Sequence, residues 1–179
     1  MIASLGSRRW KEDPMDRGAI AISTGADAGV GISGTLTTDT GALTNTPFSL
    51  KARYEWEPTP TGTNPEELLA AACASCFTEE LAARLAAAGH QAQQVRTEAR
   101  VHLVRPGDRW TIGAVRIHCT AVVPGISDEE FLAIVHEAKA SGPIEQALRP
   151  DVTVTVSRQE YLPVAEPATN PGLRSAHRR

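Results

Sequence analysis

The sequence is poor in aromatic residues and has no long apolar run. Aromatic residues make up 4% of its 179 residues, against 41% for hydrophobic residues as a whole. No stretch approaches the roughly 18 uninterrupted apolar residues that a membrane-spanning helix needs. Its charged residues, with a net charge of -3, form no basic stripe of the kind that holds nucleic acid. We therefore expect a globular protein that binds neither membrane nor nucleic acid.

Cysteine is also scarce, with three residues at positions 73, 76 and 119. An odd number of cysteines at these spacings does not make a disulfide framework, and a reducing compartment would keep them as thiols. The opening segment MIASLGSRRWKEDPMDR has no apolar run between its charges and a cleavage site, so it does not resemble a secretory signal. We predict a cytoplasmic protein whose cysteines are structural, metal-binding or reactive.

One domain is the expected organisation for a chain of this length. Residues 1–16 are polar with mixed charges, and residues 163–179 are rich in Pro, Ala and Arg without periodicity. Such segments are typical of flexible tails. The folded domain is therefore predicted to span residues 17–162.

Several short segments have the composition of β-strands. The runs GAIAIST and VGISGTLTT, separated by the turn signal GADAG, predict a hairpin. A further strand is predicted from Phe48 to Glu57, where prolines follow. Alternation from Val95 to Val104 predicts a half-solvated strand, and the turn after it leads to a partner strand from Trp110 to Val123. The segment VTVTVSR predicts the last strand.

The strongest predicted element is a long helix in the middle of the chain. Asn64 can cap it, Pro65 suits the first helical position, and two glutamates follow that complement the helix dipole. Strong helix formers continue to Gly89, which suits the left-handed position after a helix end. Because the middle is apolar on nearly every face, we expect Cys73 and Cys76 to be deeply buried.

A second helix is predicted after the last long strand. The segment Ser127-Asp-Glu-Glu has the form of a capping box, and the helix is expected to end near Ser141-Gly142-Pro143. A short helical turn is predicted from Ile144 to Leu148.

Four phrases carry a resemblance to a known family: GTLTTDTGALTNTPFSLKARYEWE, GTNPEELLAAACASCF, VPGISDEEFLAIVHEAKASGPIEQAL and VTVTVS. With the order of strands and helices, they resemble the osmotically inducible protein C (OsmC) and organic hydroperoxide resistance (Ohr) family over roughly residues 18–160. The resemblance implies an α/β (α+β) fold. In it two central helices, here Thr63 to Gly89 and Ser127 to Ala140, pack against curved antiparallel sheets in an intertwined homodimer. A second subunit would cover a helix that is apolar on nearly every face.

The resemblance also implies a thiol-dependent peroxidase that reduces alkyl or lipid hydroperoxides in oxidative or osmotic stress defence, with a thiol reductant and neither cofactor nor metal. The family's catalytic roles fall on Cys76, on Arg53 in KARYE and on Glu66 in NPEE. The thiolate attacks the O–O bond, and burial alone would raise the cysteine pKa, so a guanidinium beside the sulfur must offset desolvation. Glu66 would hold that guanidinium by a charge-assisted pair.

The sequence departs from the family at the second cysteine. That thiol lies in an Ala-Gly-Cys-Pro phrase, where this chain has Gly142 in place of cysteine. A sulfenic acid on Cys76 would therefore lack its usual disulfide partner. Cys73 could substitute, although residues three apart on a helix hold their Cβ atoms about 5–6 Å apart, too far for an undistorted disulfide. Cys73 and Cys119 are otherwise expected to be core residues, and an external thiol could reduce the sulfenic acid directly.

Other interpretations of these residues stay open. Arg53 could be an ordinary cross-strand charge, and Glu66 could simply favour the helix N-terminus. Glu79 and Glu80 either reach solvent or alter the pocket. The alternative function is an OsmC-fold binding or sensing protein with a one-shot thiol and no catalytic cycle.

Aromatic residues and histidines offer two further hypotheses. An apolar pocket near Phe48, Tyr54, Trp56 and Phe77 would favour alkyl or lipid peroxides, or else these aromatics are core. A zinc site from the cysteines and several histidines is conceivable, but no second Cys or His pair stands at finger-like spacing.

Overall fold

The computed structural model describes residues 16–27, 31–54, 62–148 and 152–158. The predicted tails lie outside these residues, apart from Asp16, and the domain boundaries stay a prediction. Within the described part, no helix is long and apolar enough to cross a membrane. The elements follow in the order β1 (Ala19–Asp27), β2 (Gly31–Thr38), β3 (Thr46–Ser49), α1 (Leu50–Tyr54), α2 (Pro65–Ala87), β4 (Gln94–Val104), β5 (Thr111–Val122), α3 (Asp128–Ser141), α4 (Pro143–Ala147) and β6 (Val152–Arg158).

The first sheet is an antiparallel arm made of β1, β2 and β3 in that order. The predicted hairpin is confirmed as β1 and β2. Leu36 is buried in this sheet, whereas Ile20, Ile22 and Ile32 are 66%, 61% and 44% exposed. The sheet packs chiefly on α1 and makes no extensive contact with the second sheet. The arm therefore presents apolar side chains that no other described element of the chain covers.

The predicted strand from Phe48 to Glu57 is wrong beyond Ser49. Leu50–Tyr54 forms the short helix α1, and the rest of that segment lies outside the described residues. The backbone N–H of Ala52 donates to Ser49 Oγ at 3.0 Å, which starts a helical turn where the pairing of β3 with β2 ends. Leu, Lys, Ala and Arg are good helix formers, so local propensity favours the turn once no strand partner is present.

The second sheet has the order β4, β5, β6 and carries the helices on one side. The three strands have nearly the predicted bounds, and β4 pairs antiparallel with β5. The expectation of antiparallel sheets is wrong for β6, which runs parallel to β5. A parallel neighbour needs a crossover connection, and α3 with α4 supplies it. The α+β class is confirmed.

The core lies between this sheet and one face of α2. Buried α2 residues recur at every fourth position, which is the spacing of one helix face. The main core residues are Cys73, Phe77, Leu81 and Leu85 from α2, Val115, Ile117, Cys119 and Ala121 from β5, and Phe131, Ile134, Val135 and Ala138 from α3. The expectation that α2 is buried on nearly every face does not hold within one chain, because Ala71 and Ser75 are exposed.

The ends of the helices agree with the predictions. The Asn64 side chain accepts from Glu67 N at 2.8 Å, Pro65 is the first helical residue, and Gly89 has φ of +87° just after the end of α2. At the start of α3, Ser127 Oγ accepts from Glu130 N at 3.2 Å. Asn64 also donates from Nδ2 to Ala52 O at 3.2 Å, and so ties α1 to the beginning of α2.

Replacing Asn64 by alanine should lower the free energy of unfolding by about 1 kcal/mol, because the N-terminal cap of α2 is lost. Urea unfolding followed by circular dichroism measures this change. Asn64→Asp keeps the accepting oxygen and should restore most of the loss. An Asn64→Ala protein that unfolds at the urea concentration of the wild type would contradict the role of the cap.

Candidate functional site

Cys76 lies at the border of the buried face of α2. Its neighbours Cys73 and Phe77 are 0% exposed, while Cys76 is only partly buried. The expectation of deep burial is therefore confirmed for Cys73 and wrong for Cys76. Cys119 is also fully buried, as predicted, and all three cysteines are free thiols. Cys76 is thus the thiol that an external reagent can reach in this chain.

The Cys76 thiol contacts a carboxylate that sequence reasoning missed. Its Sγ donates to Glu145 Oε2 at 3.3 Å. Glu145 lies on the short helix α4 and is only 7% exposed, and its Oε1 is buried without a hydrogen-bond partner among the described residues. Only its place in the phrase SGPIEQ, close after the departure at Gly142, could have pointed to it.

The Glu145 carboxylate fills the space beside Gly142 in which a Cβ atom would lie. A Cβ atom at position 142 would stand 2.0 Å from Glu145 Oε2, far inside van der Waals contact. The carboxylate therefore fills the volume in which a side chain at position 142 would begin. Because the same oxygen accepts from Cys76, the residue that departs from the family and the new partner of the thiol belong to one site.

The surroundings of Cys76 raise the pKa of its thiol. Burial is the largest cause, and a backbone hydrogen bond from Ile144 acts in the opposite direction. The hydrogen bond to Glu145 and the negative charges of Glu145 and Glu79 raise the pKa further. Each of these carboxylates disfavours a second negative charge on the sulfur. No cation among the described residues contributes to the shift, so these surroundings favour the protonated thiol.

The predicted pair of Arg53 and Glu66 is formed. Arg53 Nε lies 3.0 and 2.9 Å from the two carboxylate oxygens of Glu66, and Nη2 lies 2.5 Å from Oε1. Their side chains are 30% and 12% exposed. The hydrogen bond with Glu66 raises the pKa of the Arg53 guanidinium, which also lies 5.1 Å from the centre of the Tyr54 ring. Glu66 thus holds the guanidinium in a fixed, fully charged state.

The Arg53–Glu66 pair does not lie beside Cys76 of the same chain. Glu66 precedes Cys76 by ten residues on one regular helix. At 1.5 Å per residue, their backbones are about 15 Å apart along the axis and about 80° apart around it. The structure therefore brings Arg53 and Glu66 together. Cys76 contacts the carboxylate of Glu145 instead of the Arg53 guanidinium.

Glu80 connects α2 with the end of α3. It accepts from Ser141 Oγ at 2.6 Å and from Arg84 Nε at 2.8 Å, and Arg84 also donates to Glu137 at 2.9 Å. The hydrogen bond from Ser141 lowers the pKa of Glu80, with Arg84 as a further cause. Glu80 therefore fixes the position of the segment that carries Gly142. Glu79 is exposed and acts on the site only through its charge.

Of the predicted pocket residues, Phe77 and Tyr54 do not line a common pocket, and Phe48 is partly buried in β3. Phe77 is fully buried in the core, and Trp56 lies outside the described residues. Tyr54 instead stacks on Trp110 at the surface, with ring centres 5.8 Å apart and both rings nearly half exposed. This aromatic pair lies directly beside Arg53. In the described part of the chain, no group of three or more His, Cys, Asp or Glu residues could hold a metal ion.

Comparison with known proteins agrees with this architecture. Residues 58–157 match the family model described as OsmC-like protein. Over 121 residues, the chain is 36% identical to Peroxiredoxin OsmC of Escherichia coli strain K12, which covers 68% of this chain and 82% of that protein. The fold of two sheets with a long helix is thus that of an OsmC-type protein. The chain belongs to the OsmC family.

Solved structures share the fold at lower identity. An OsmC-like protein of unknown function from Vibrio cholerae superposes with a TM-score of 0.68 at 17% identity, over 80% of this chain and all of that one. The organic hydroperoxide resistance protein OhrB of Bacillus subtilis does so with a TM-score of 0.58 at 24% identity, over 81% and 98% of the two chains. At these identities the likeness concerns the fold.

In the folded protein, iodoacetamide should modify Cys76 and spare Cys73 and Cys119. The reason is that the latter two are fully buried, and burial also raises the pKa of both thiols. Intact-mass measurement should find one adduct in buffer and three in urea. Cys76→Ser should remove the adduct in buffer, whereas Cys73→Ser should leave it. An adduct on folded Cys73 would contradict the burial described above.

Proposed function

We propose that this protein is a thiol-dependent peroxidase that reduces organic hydroperoxides at Cys76 and acts in oxidative or osmotic stress defence. The observation that carries the proposal is the bidentate Arg53–Glu66 pair, which the resemblance predicted. A relative with the name peroxiredoxin, 36% identical, supports the same activity. The partial exposure of Cys76 supports its role as the reacting thiol.

The reaction is a two-electron reduction of the peroxide. The Cys76 sulfur attacks the terminal oxygen of the hydroperoxide, the O–O bond breaks, and the products are an alcohol and a sulfenic acid on Cys76. The attacking species is the thiolate. Because carboxylates and burial raise the pKa of Cys76, the proposed reaction needs a cation beside the sulfur that no described residue of the same chain supplies.

A second copy of the chain can supply that cation. Within one chain the Arg53–Glu66 pair is about 15 Å along α2 from Cys76, so it does not serve its own sulfur. In a homodimer whose α2 helices pack against each other, the partner subunit's Arg53 would lie over Cys76. The exposed positions Ala71 and Ser75 leave α2 room for such a neighbour.

The arm supports the same homodimer. Among the described residues of this three-stranded sheet, Leu36 alone is buried, so the arm has little core of its own. Its side chains Ile20, Ile22 and Ile32 are exposed. Burial of such a surface against a second copy would stabilise both chains.

The substrate class follows from the surroundings of Arg53. The stacked rings of Tyr54 and Trp110 form an apolar surface beside the guanidinium. Such a surface favours an alkyl or lipid hydroperoxide over hydrogen peroxide. A thiol must regenerate Cys76 after each turnover. The cytoplasmic location stays a prediction.

One equivalent of cumene hydroperoxide should add a single oxygen to the wild-type protein, as measured by intact mass. Cys76→Ser should remove this oxidation. Arg53→Gln should slow it by about 10–100-fold, since each unit by which the thiol pKa rises cuts the thiolate fraction about tenfold. Arg96→Gln is the matched control, because Arg96 is also an arginine paired with a glutamate but lies on β4.

An unchanged wild-type mass would contradict the peroxidase. The raised pKa of Cys76 favours one alternative in that case, an OsmC-fold binding or sensing protein. Equal rates for Arg53→Gln and Arg96→Gln would instead show that Arg53 does not activate the sulfur.

The protein should sediment at twice the mass of one chain. Ile22→Asp places a charge on the exposed apolar face of the arm and should shift the protein toward the monomer. Peroxide oxidation of Cys76 should slow in parallel, because the second Arg53 is lost. Ile22→Val keeps an apolar side chain and should change neither property. A monomeric Ile22→Asp protein with full activity would contradict a site shared between copies.

A further inference from the structure

We propose that Glu145 is a catalytic acid–base residue of the Cys76 site, and that it replaces the second cysteine of the family by a carboxylate. The protein would then work with a single cysteine, which a small external monothiol reduces directly. This inference rests on the proposed function and names the reductant class and a further residue of the same site.

The first support is the position of the carboxylate. Glu145 Oε2 lies 3.3 Å from the Cys76 sulfur and accepts its hydrogen. The same oxygen lies where a side chain at Gly142 would begin, with a Cβ there 2.0 Å away. A proton acceptor within hydrogen-bond reach of the nucleophile is the geometric requirement for general-base catalysis.

The second support is the unsatisfied oxygen of Glu145. Its Oε1 is buried and has no hydrogen-bond partner among the described residues. Glu145 as a whole is only 7% exposed. Leaving a buried polar group unpaired costs about 1–3 kcal/mol, and more for a charged group. An oxygen without a partner among the described residues is available to receive or deliver a proton.

The third support is the rigidity of the segment that carries Glu145. Ser141 Oγ donates to Glu80 at 2.6 Å on α2, and Gly142 N donates to Ala138 O at 3.2 Å. Gln146 N then closes α4 onto Gly142 O at 3.0 Å. These contacts hold α4 against α2, so the Glu145 carboxylate is positioned before any substrate arrives.

In the first half of the cycle, Glu145 moves one proton from sulfur to the leaving oxygen. It accepts the thiol proton of Cys76 as the sulfur attacks the terminal oxygen of the hydroperoxide. The S–O bond forms, the O–O bond breaks, and protonated Glu145 delivers the proton to the alkoxide. The thiol is oxidised to a sulfenic acid, and the hydroperoxide is reduced to an alcohol.

In the second half, two external thiols supply two electrons. The sulfur of the first attacks the Cys76 sulfenic acid, so an S–S bond forms and the S–O bond breaks. Glu145 takes the thiol proton and passes it to the departing hydroxide, which leaves as water. The second thiol attacks the mixed disulfide at its external sulfur, an S–S bond forms between the two external thiols, and Cys76 leaves as a thiol with the proton of the second thiol. Cys73 cannot take this part without distortion, since it is fully buried on the same helix.

Glu145→Gln separates the acid–base role from the effect of negative charge. Loss of the charge lowers the pKa of Cys76, so alkylation by iodoacetamide, which needs only the thiolate, should become several-fold faster near neutral pH. Oxidation by cumene hydroperoxide should become at least about tenfold slower, because the leaving alkoxide loses its proton donor. The two rates should therefore move in opposite directions.

Glu79→Gln is the matched control. Glu79 also raises the pKa of Cys76 through its charge, but it is exposed and makes no hydrogen bond to the sulfur. Both rates should rise slightly in this variant. If Glu145→Gln also raises both rates, or leaves peroxide oxidation unchanged, the acid–base role is overturned. Failure of the wild type to react with peroxide would instead refute the proposed function itself.

The single-cysteine cycle has a separate measurement. Peroxide-treated wild type should form a mixed disulfide at Cys76 with 2-mercaptoethanol and return to the free thiol with excess reagent. Gly142→Cys should displace the Glu145 carboxylate and, with its Cβ within about 5 Å of the Cys76 sulfur, lose two hydrogens on oxidation. A wild-type sulfenic acid that dithiols reduce but monothiols do not would overturn the reductant class. If oxidised Gly142→Cys protein retains a sulfenic acid and forms no disulfide, position 142 does not lie beside the Cys76 sulfur as described.

Discussion

The hydrogen bond between Cys76 and Glu145 is the constraint on which the proposed chemistry depends. A carboxylate 3.3 Å from a half-buried thiol favours the protonated sulfur, so the described surroundings disfavour the thiolate of this proposed nucleophile. A reactive thiolate then requires a compensating cation and an acceptor for the thiol proton. In the proposed site, Arg53 of a second copy is the cation, and Glu145 accepts the thiol proton and passes it to the leaving oxygen.

The arrangement of the chain agrees with a site that one copy cannot complete. Asn64 and Glu66 at the start of α2 hold α1 and Arg53, and the arm of β1–β3 extends from the same point. Cys76 lies about three turns further along α2, against α4. Glu66 and Cys76 are thus fixed on one rigid helix, and Glu66 holds Arg53 of α1 at a distance from the sulfur of the same chain. The proposed homodimer would bring a second Arg53 to that sulfur.

Local signals in the sequence predicted much of the fold. Asn64, Pro65 and Gly89 mark the bounds of α2 because caps and left-handed positions depend on neighbouring residues alone. The resemblance predicted the pairing of Arg53 with Glu66, and the structure has it. Helix α1 was missed because KARYE alternates like a strand. The pairing of β3 with β2 ends at Ser49, and where a strand loses its partner depends on the tertiary structure and not on local sequence. Glu145 was missed for a similar reason, since its neighbour Cys76 is 69 residues away in sequence.

The departure at Gly142 gains a physical meaning from the structure. From sequence it was only a missing thiol, whereas in the fold its empty Cβ position is filled by the Glu145 carboxylate. Position 142 and the Cys76 sulfur are thus linked, because the same carboxylate oxygen fills the space beside Gly142 and accepts from the thiol. The most direct test of the shared site is a crystal structure of the reduced protein with its partner copy. The partner subunit's Arg53 should lie within hydrogen-bonding distance of the Cys76 sulfur, with Glu145 still in contact. A Cys76 without any cation beside it in either copy would refute the shared site.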